Sequence, residues 1–348
     1  MKFDLFKQYP LMKPLFAFLF LLLIDAIVIP GFFQFSIKNG HLYGSLIDIA
    51  NRAAPLILTG LGLTLVIATR GIDISVGAVA AISGTVAVLL LDSQFVANSP
   101  MLWAILAAIG CAILCGIWNG LLVVGLRLQP IIATMILMVA GRGLAQLLTD
   151  GQIETAHYQP FFFLGDGYLF GLPFTVYIVA AVFALMTLLI RGTALGLFIE
   201  VVGINPVAAR LTGIRAGAVI LFSYALCSAC AGLAGVLVCS NIQSADANNI
   251  GLLLELDAIL AVTLGGTSLD GGKFSMAGTL IGAMIIQTLT YTIYSLGVPP
   301  EFNMIIKALV VVTVCLSQSS KFQSAEFKRL WVMVSSSRSI KRSVKSAS

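Results

Sequence analysis

Apolar residues run through this chain in ten blocks, near 15–30, 55–69, 74–91, 101–126, 131–149, 174–190, 217–239, 253–266, 276–296 and 304–318, parted by short polar stretches. Crossing ~30 Å of hydrocarbon takes about 20 helical residues. The pattern predicts an all-α, polytopic membrane protein with about ten transmembrane helices. The blocks at 55–69 and 253–266 are short or interrupted by glycine. Broken helices at membrane depth are tolerated only against protein or a water-filled cavity, and a solute pathway is the natural reason for them.

Between the sixth and seventh blocks lies a compact polar segment, Val202-Gly-Ile-Asn-Pro-Val-Ala-Ala-Arg-Leu-Thr-Gly-Ile-Arg215. Asn205 is a good helix N-cap, Pro206 suits the first helical position, and Gly213 can take the left-handed conformation that closes a helix. A helix of under two turns, about 10 Å long, cannot cross a bilayer. It is also unstable alone in water, so something must hold it. The segment is either a well-ordered loop or a helix in the membrane plane that docks in a groove of a cytoplasmic partner. In the second reading Ala208 and Ala209 permit close approach and Arg210 lies at the rim.

Composition narrows the class. Of 348 residues, 59% are hydrophobic and 10% charged, and the mean hydropathy is +1.02, values that exclude a soluble domain. With the N-terminus inside, sixteen of the twenty Lys/Arg fall on cytoplasmic segments, including Lys13, Arg70, Arg127, Arg191, Arg210, Arg215 and Lys273. Asp48, Asp92, Asp150, Glu154, Asp166, Asp246 and Glu301 gather on the other side. The positive-inside rule then gives an N-in, C-in topology. Residues 1–14 are expected to be cytoplasmic and 15–318 to form the transmembrane domain. The first block reads as a retained helix, without a small-residue cleavage site. The basic tail, 319–348, is expected to lie on anionic headgroups. The net charge of +5 thus reflects topology and gives no reason to expect nucleic-acid binding. All six cysteines sit in or at the ends of apolar blocks as small hydrophobes, and Cys227-Ser-Ala-Cys230 reads as such despite its redox spacing.

Gly203-x-Asn205-x-x-Ala208-Ala209-x-x-x-Gly213-Ile214 resembles the cytoplasmic coupling segment of the permease subunits of bacterial sugar ABC importers of the ribose, xylose and galactose type. Thr69-Arg-Gly-Ile-Asp-Ile-Ser-Val-Gly-Ala78, Ile131 to Gly143 and Leu264-Gly-Gly-Thr-Ser-Leu-Asp-Gly-Gly-Lys-Phe274 extend the resemblance, in order, over roughly 45–318. Asn51-Arg-Ala-Ala-Pro55, Gln152-Ile153 and Ala245-Asp-Ala-Asn-Asn249 look most like galactofuranose importer permeases. The resemblance implies the type II ABC importer permease architecture, with an ABC ATPase below, a periplasmic sugar-binding protein above and a second permease chain, a paralogue, beside this one in a bacterial inner membrane. It also implies that Glu200, Gly203, Asn205, Ala208, Ala209, Arg210 and Gly213 couple the chain to the ATPase. The family usually carries glycine where this chain has Arg70. Arginine resists positive φ, and Arg70 and Asp73 are spaced to pair across one helical turn.

Asp73 is expected to cap a helix starting at Ile74 and to stand near the mouth of the pathway. Leu264 to Phe274 fails the phosphate-loop spacing, with Thr267 where glycine is needed and Phe274 where Ser/Thr is needed. The chain therefore carries no cofactor or metal site of its own, and ATP and Mg²⁺ belong to the partner ATPase. Polar groups at membrane depth are the candidates for touching solute: Asn119, Gln129, Thr134, Arg142, Gln146, Asp257 and Gln287. Asp246, Asn248 and Asn249 join them from an outer loop. An ion-coupled secondary transporter is the rival reading. It wants a carboxylate cluster at the midplane, for which Asp25 and Asp257 stand isolated. An intramembrane enzyme is disfavoured, because His41 and His157 are the only histidines and accompany no nucleophile or metal-ligand spacing.

Overall fold

The computed structural model describes residues 11–38, 40–92, 100–299, 302, 304–309 and 312. Within the compact unit ending at Gly297, twelve helices follow one another among the described residues. They are α1 (Met12–Val28), α2 (Ser45–Ala68), α3 (Val76–Asp92), α4 (Pro100–Val124), α5 (Pro130–Leu148), α6 (Gln159–Asp166), α7 (Phe174–Gly192), α8 (Leu195–Ile204), α9 (Pro206–Leu211), α10 (Ala216–Ile242), α11 (Leu254–Leu264) and α12 (Met276–Ser295).

The expected all-α class holds. The short strands form three antiparallel pairs: β1 (Ser36–Lys38) with β2 (His41–Tyr43), β3 (Glu154–Thr155) with β6 (Ser244–Ala245), and β4 (Tyr168–Leu169) with β5 (Leu172–Pro173). Among the described residues six helices are long and apolar enough to span a bilayer. Of the other expected blocks, 253–266 yields only the 11-residue α11, which reaches about half the hydrocarbon thickness at ~1.5 Å per residue. Most of 304–318, all of the 319–348 tail and residues 1–10 lie outside the described residues.

Burial separates the spans into a central and a peripheral set. In the most apolar window of each, 78% of α2 and 61% of α10 and α12 is buried, against 22% of α4 and 17% of α7. Helix α10 packs on α2, α3 and α4. Lipid offers no hydrophobic gain for helix association, so close packing of small side chains and interhelical hydrogen bonds take over. Ser83 on α3 donates to the Gly232 carbonyl of α10 at 3.0 Å. Thr64 on α2 and Thr279 on α12 share a buried bond of 2.6 Å. Thr292 on α12 donates to Asp25 on α1 at 2.7 Å.

Helix α2 fixes the two ends of the molecule. Its first turns carry Asp48 and Arg52, joined by an ion pair at 2.9 Å. Its far end leads to Arg70, near the coupling segment and the 268–275 loop.

Candidate functional site

At the end of the molecule expected to be cytoplasmic, the predicted coupling segment folds as its sequence dictates. Asn205 closes α8 through its amide, bonded to the Val201 carbonyl at 3.0 Å, and opens α9 by accepting from the Val207 and Ala208 amides at 3.0 and 3.1 Å. Gly213 takes φ +86°. The Ile214 amide reaches the Ala209 carbonyl and the Gly213 amide the Arg210 carbonyl, both at 3.0 Å. That is the Schellman closure of a helix.

Packing divides the predicted coupling residues in two. Gly203 is buried so tightly that a side chain there would overlap the Ala68 carbonyl and the Gly272 amide. Ala209 is 0% exposed, seated within this chain. The expectation that Ala209 offers a small face to a partner is therefore corrected: it is the anchor of α9. Ala208, Arg210 and Gly213 remain exposed, and the apolar outer face is made by Val207 (64% exposed) and Leu211 (86%). Glu200 lies apart from that face. With Phe183, Thr187, Arg191 and Phe274 it lines a cleft of about 500 Å³.

Arg70 ties this segment to α2. Helix α2 also ends in a Schellman closure, with the Gly71 amide on the Val66 carbonyl and the Arg70 amide on the Ile67 carbonyl, both at 2.9 Å. The left-handed position, normally glycine, is Arg70 at φ +65°. Its Nε donates to the Asp270 carbonyl at 2.9 Å and its Nη2 to the Ile204 carbonyl at 2.8 Å. The pairing of Arg70 with Asp73 suggested by their spacing does not form, because the guanidinium points instead to these two carbonyls.

Asp73 is wholly buried between α2 and α3. Its Oδ1 accepts from the Ser75 amide at 2.9 Å and the Ser75 hydroxyl at 2.6 Å, and Asn119 of α4 donates to that hydroxyl at 2.8 Å. The helix starts at Val76, with the Val79 amide bonded to the Ser75 carbonyl. Ser75 thus fills the cap position assigned to Asp73, and Asp73 braces the turn before it. Thr134 of α5 touches the same turn, accepting from the Ile74 amide and donating to the Ile72 carbonyl, each at 3.3 Å. Asp73, Asn119 and Thr134 come together, but as the brace of a helix break.

A second set assembles at the C-terminal end of α5, expected to face outward. Arg142 Nη1 donates to the carbonyls of Ala247 and Ile250 at 3.1 and 2.5 Å. Gln146 donates to Asn248 Oδ1 at 2.6 Å. Asp246 accepts from the Asn248 and Asn249 amides and from Asn249 Nδ2. The β3–β6 pairing, with Glu154 opposite Ala245, brings 152–155 against the same loop. Five predicted pathway residues, Arg142, Gln146, Asp246, Asn248 and Asn249, form one cluster. Arg142 clasps backbone in it. Asp257 lies half-buried on α11.

The sequence matches the family described as the branched-chain amino acid transport system / permease component over residues 45–315. The chain belongs to this family. Among curated relatives, the permease is 49% identical to the galactofuranose transporter permease YtfT of Escherichia coli K12, over 90% of this chain and 91% of the relative. It is 39% identical to the fructose import permease FruF of Bifidobacterium longum, over 90% and 89%. It is 36% identical to the ribose import permease RbsC of Escherichia coli K12, over 89% and 94%. No solved structure matches it significantly.

The family and the apolar helices make the permease a multi-pass membrane transport protein. Sequence reasoning passed over Glu255, 4% exposed on α11, within electrostatic range of Arg142 and with no hydrogen-bond partner to Oε2 among the described residues. Its signal was a lone carboxylate inside Leu252-Leu-Leu-Glu-Leu256. It also passed over Val207 and Leu211, whose exposure follows from which side of α9 is anchored.

Proposed function

We propose that the permease is one half of the transmembrane pathway of an ATP-driven monosaccharide importer in a bacterial inner membrane. The observation that carries this is α9, a two-turn helix capped at both ends, anchored by buried Ala209, and presenting exposed Val207 and Leu211 beside Arg210. Such a face suits the groove of a cytoplasmic ATPase, which binds ATP and Mg²⁺. The relatives over nearly full length are named for galactofuranose, fructose and ribose, which supports a sugar over the amino acid in the family's description. The 49% identity to a galactofuranose permease makes that sugar the first candidate. A paralogous permease completes the pathway, and a periplasmic binding protein delivers solute to the outer loops around Asp246 and Asn248.

Leu211→Asp tests the coupling face. Withdrawing one leucine from a buried contact costs about 1.5–3 kcal/mol, or roughly 10- to 100-fold in affinity. The variant should keep its unfolding midpoint, lose co-purification of the ATPase and lose solute uptake. Retained attachment and uptake refute the docking role. Uptake by the reconstituted importer over pentoses and hexoses in both ring forms, with branched-chain amino acids alongside, decides the solute class.

A further inference from the structure

At the outer end of α2 the chain encloses a polar cavity that none of the predicted coupling or outer-loop residues lines. Its outer part is about 440 Å³ and is walled by Tyr43, Tyr168, Asn51, Arg52 and Asn241. An adjoining chamber of about 210 Å³ shares Asn51, Arg52 and Asn241 and continues past Pro55 to Gln287. The outer part alone falls within the ~300–1,000 Å³ of ordinary small-molecule sites.

The unspent hydrogen-bonding capacity is what gives the cavity its chemistry. Arg52 uses Nε on Asp48, at 2.9 and 3.0 Å from its two oxygens, and its Nη groups make no hydrogen bond among the described residues. One end of the Asn51 amide is bonded to Thr175, leaving the other for solvent or solute. Asn241 spends Nδ2 on the Gly165 carbonyl at 3.1 Å and keeps its oxygen. Gln287, half-buried, has no partner among the described residues. Pro55 sits inside α2 and has no amide to give the Asn51 carbonyl, so the helix is open at the floor of the outer chamber. A backbone carbonyl without its helical partner is tolerated beside a polar cavity and is costly elsewhere. Tyr43 and Tyr168 lie with ring centroids 5.5 Å apart, giving the wall an aromatic face against which the C–H side of a sugar ring packs.

The geometry points to a binding site for a single uncharged, polyhydroxylated solute of monosaccharide size, occupied on the way in from the outer face. Amide and guanidinium groups present both donors and acceptors, as ring hydroxyls require. The Asp48–Arg52 pair is neutral, and Asp166, exposed at the wall of the outer part, adds a carboxylate that accepts from hydroxyls and disfavours an anion. The inference rests on the sugar-importer reading above.

The test uses the complete importer in proteoliposomes, with saturating loaded binding protein, and measures uptake and ATP hydrolysis together. Gln287→Ala removes a side chain without a partner among the described residues, and Arg52→Gln drops the free Nη donors along with the exposed Asp48 ion pair. Each should lower uptake about 3- to 10-fold, the loss expected of one or two solute hydrogen bonds. Solute-stimulated ATP hydrolysis should be retained, so that sugar moved per ATP falls; a folding lesion lowers both. In Gln287→Cys, millimolar monosaccharide should slow modification by a small thiol reagent added from outside, against a wild-type control. Wild-type sugar-to-ATP ratios in both variants, or labelling indifferent to sugar, overturn the site while leaving the sugar reading intact. A wild-type importer that moves no monosaccharide overturns the sugar reading itself.

Discussion

Replacing Arg70 by glycine and, separately, by alanine separates two contributions that the native residue combines. The left-handed backbone at φ +65° costs a non-glycine residue about 1–2 kcal/mol. Against that, the guanidinium holds the Asp270 and Ile204 carbonyls. A hydrogen bond from a charged donor contributes about 1.5–3 kcal/mol when shielded. Arg70 is exposed, which brings the two bonds together to roughly 2 kcal/mol. Alanine keeps the strain and loses both bonds, for a loss of about 2 kcal/mol; glycine loses the bonds but sheds about 1 kcal/mol of strain. The expected order of stability is wild type, then Arg70→Gly, then Arg70→Ala. A step of 1 kcal/mol moves the unfolding midpoint by about 2–4 °C in chains of 150–250 residues, and by less in longer ones. Buried Cys227, Cys230 and Cys239 supply the assay, since a thiol-reactive dye reports their exposure on heating in detergent. Both variants should also lose part of the solute-stimulated ATP hydrolysis of the assembled importer, because the Ile204 carbonyl at the α8–α9 junction is released. A glycine variant no more stable than the alanine variant refutes the strain assignment. Full stimulation in both refutes the role of the clamp in coupling.

Ala209→Trp should lower the stability of the permease itself, before any partner is added, because the site is 0% exposed within the chain and overpacking costs about 1–3 kcal/mol; an unchanged midpoint would return Ala209 to the partner face. Arg142→Ala strips the donors from the Ala247 and Ile250 carbonyls, so amide exchange across 246–253 should quicken and uptake should fall; equal exchange and wild-type uptake would leave Arg142 as a mere surface anchor. A double-mutant cycle of Thr64→Val and Thr279→Val should give a coupling of about 0.6 kcal/mol and not above roughly 1.7 kcal/mol, and additive losses would mean the 2.6 Å contact contributes nothing.

Much of the molecule was written in local pattern. Apolar blocks longer than a soluble helix needs dictate the membrane, because transfer energy depends on composition alone. The caps of α9 were equally legible: Asn205, Pro206 and Gly213 act on neighbours within four residues, and each took its predicted place. The side of α9 that would be exposed was not legible. Val207, Ala208, Ala209 and Leu211 are all apolar, so the six-residue helix has no sided pattern, and only its packing on the rest of the chain buries Ala209 and leaves Leu211 out. Arg70 is the same lesson in reverse. Its local preference argues against positive φ, and it is held there by two carbonyls 134 and 200 positions away. The grouping of Asn51, Arg52, Asn241 and Gln287 around one cavity also belongs to the tertiary structure, since helix crossings bring together side chains that no periodicity links.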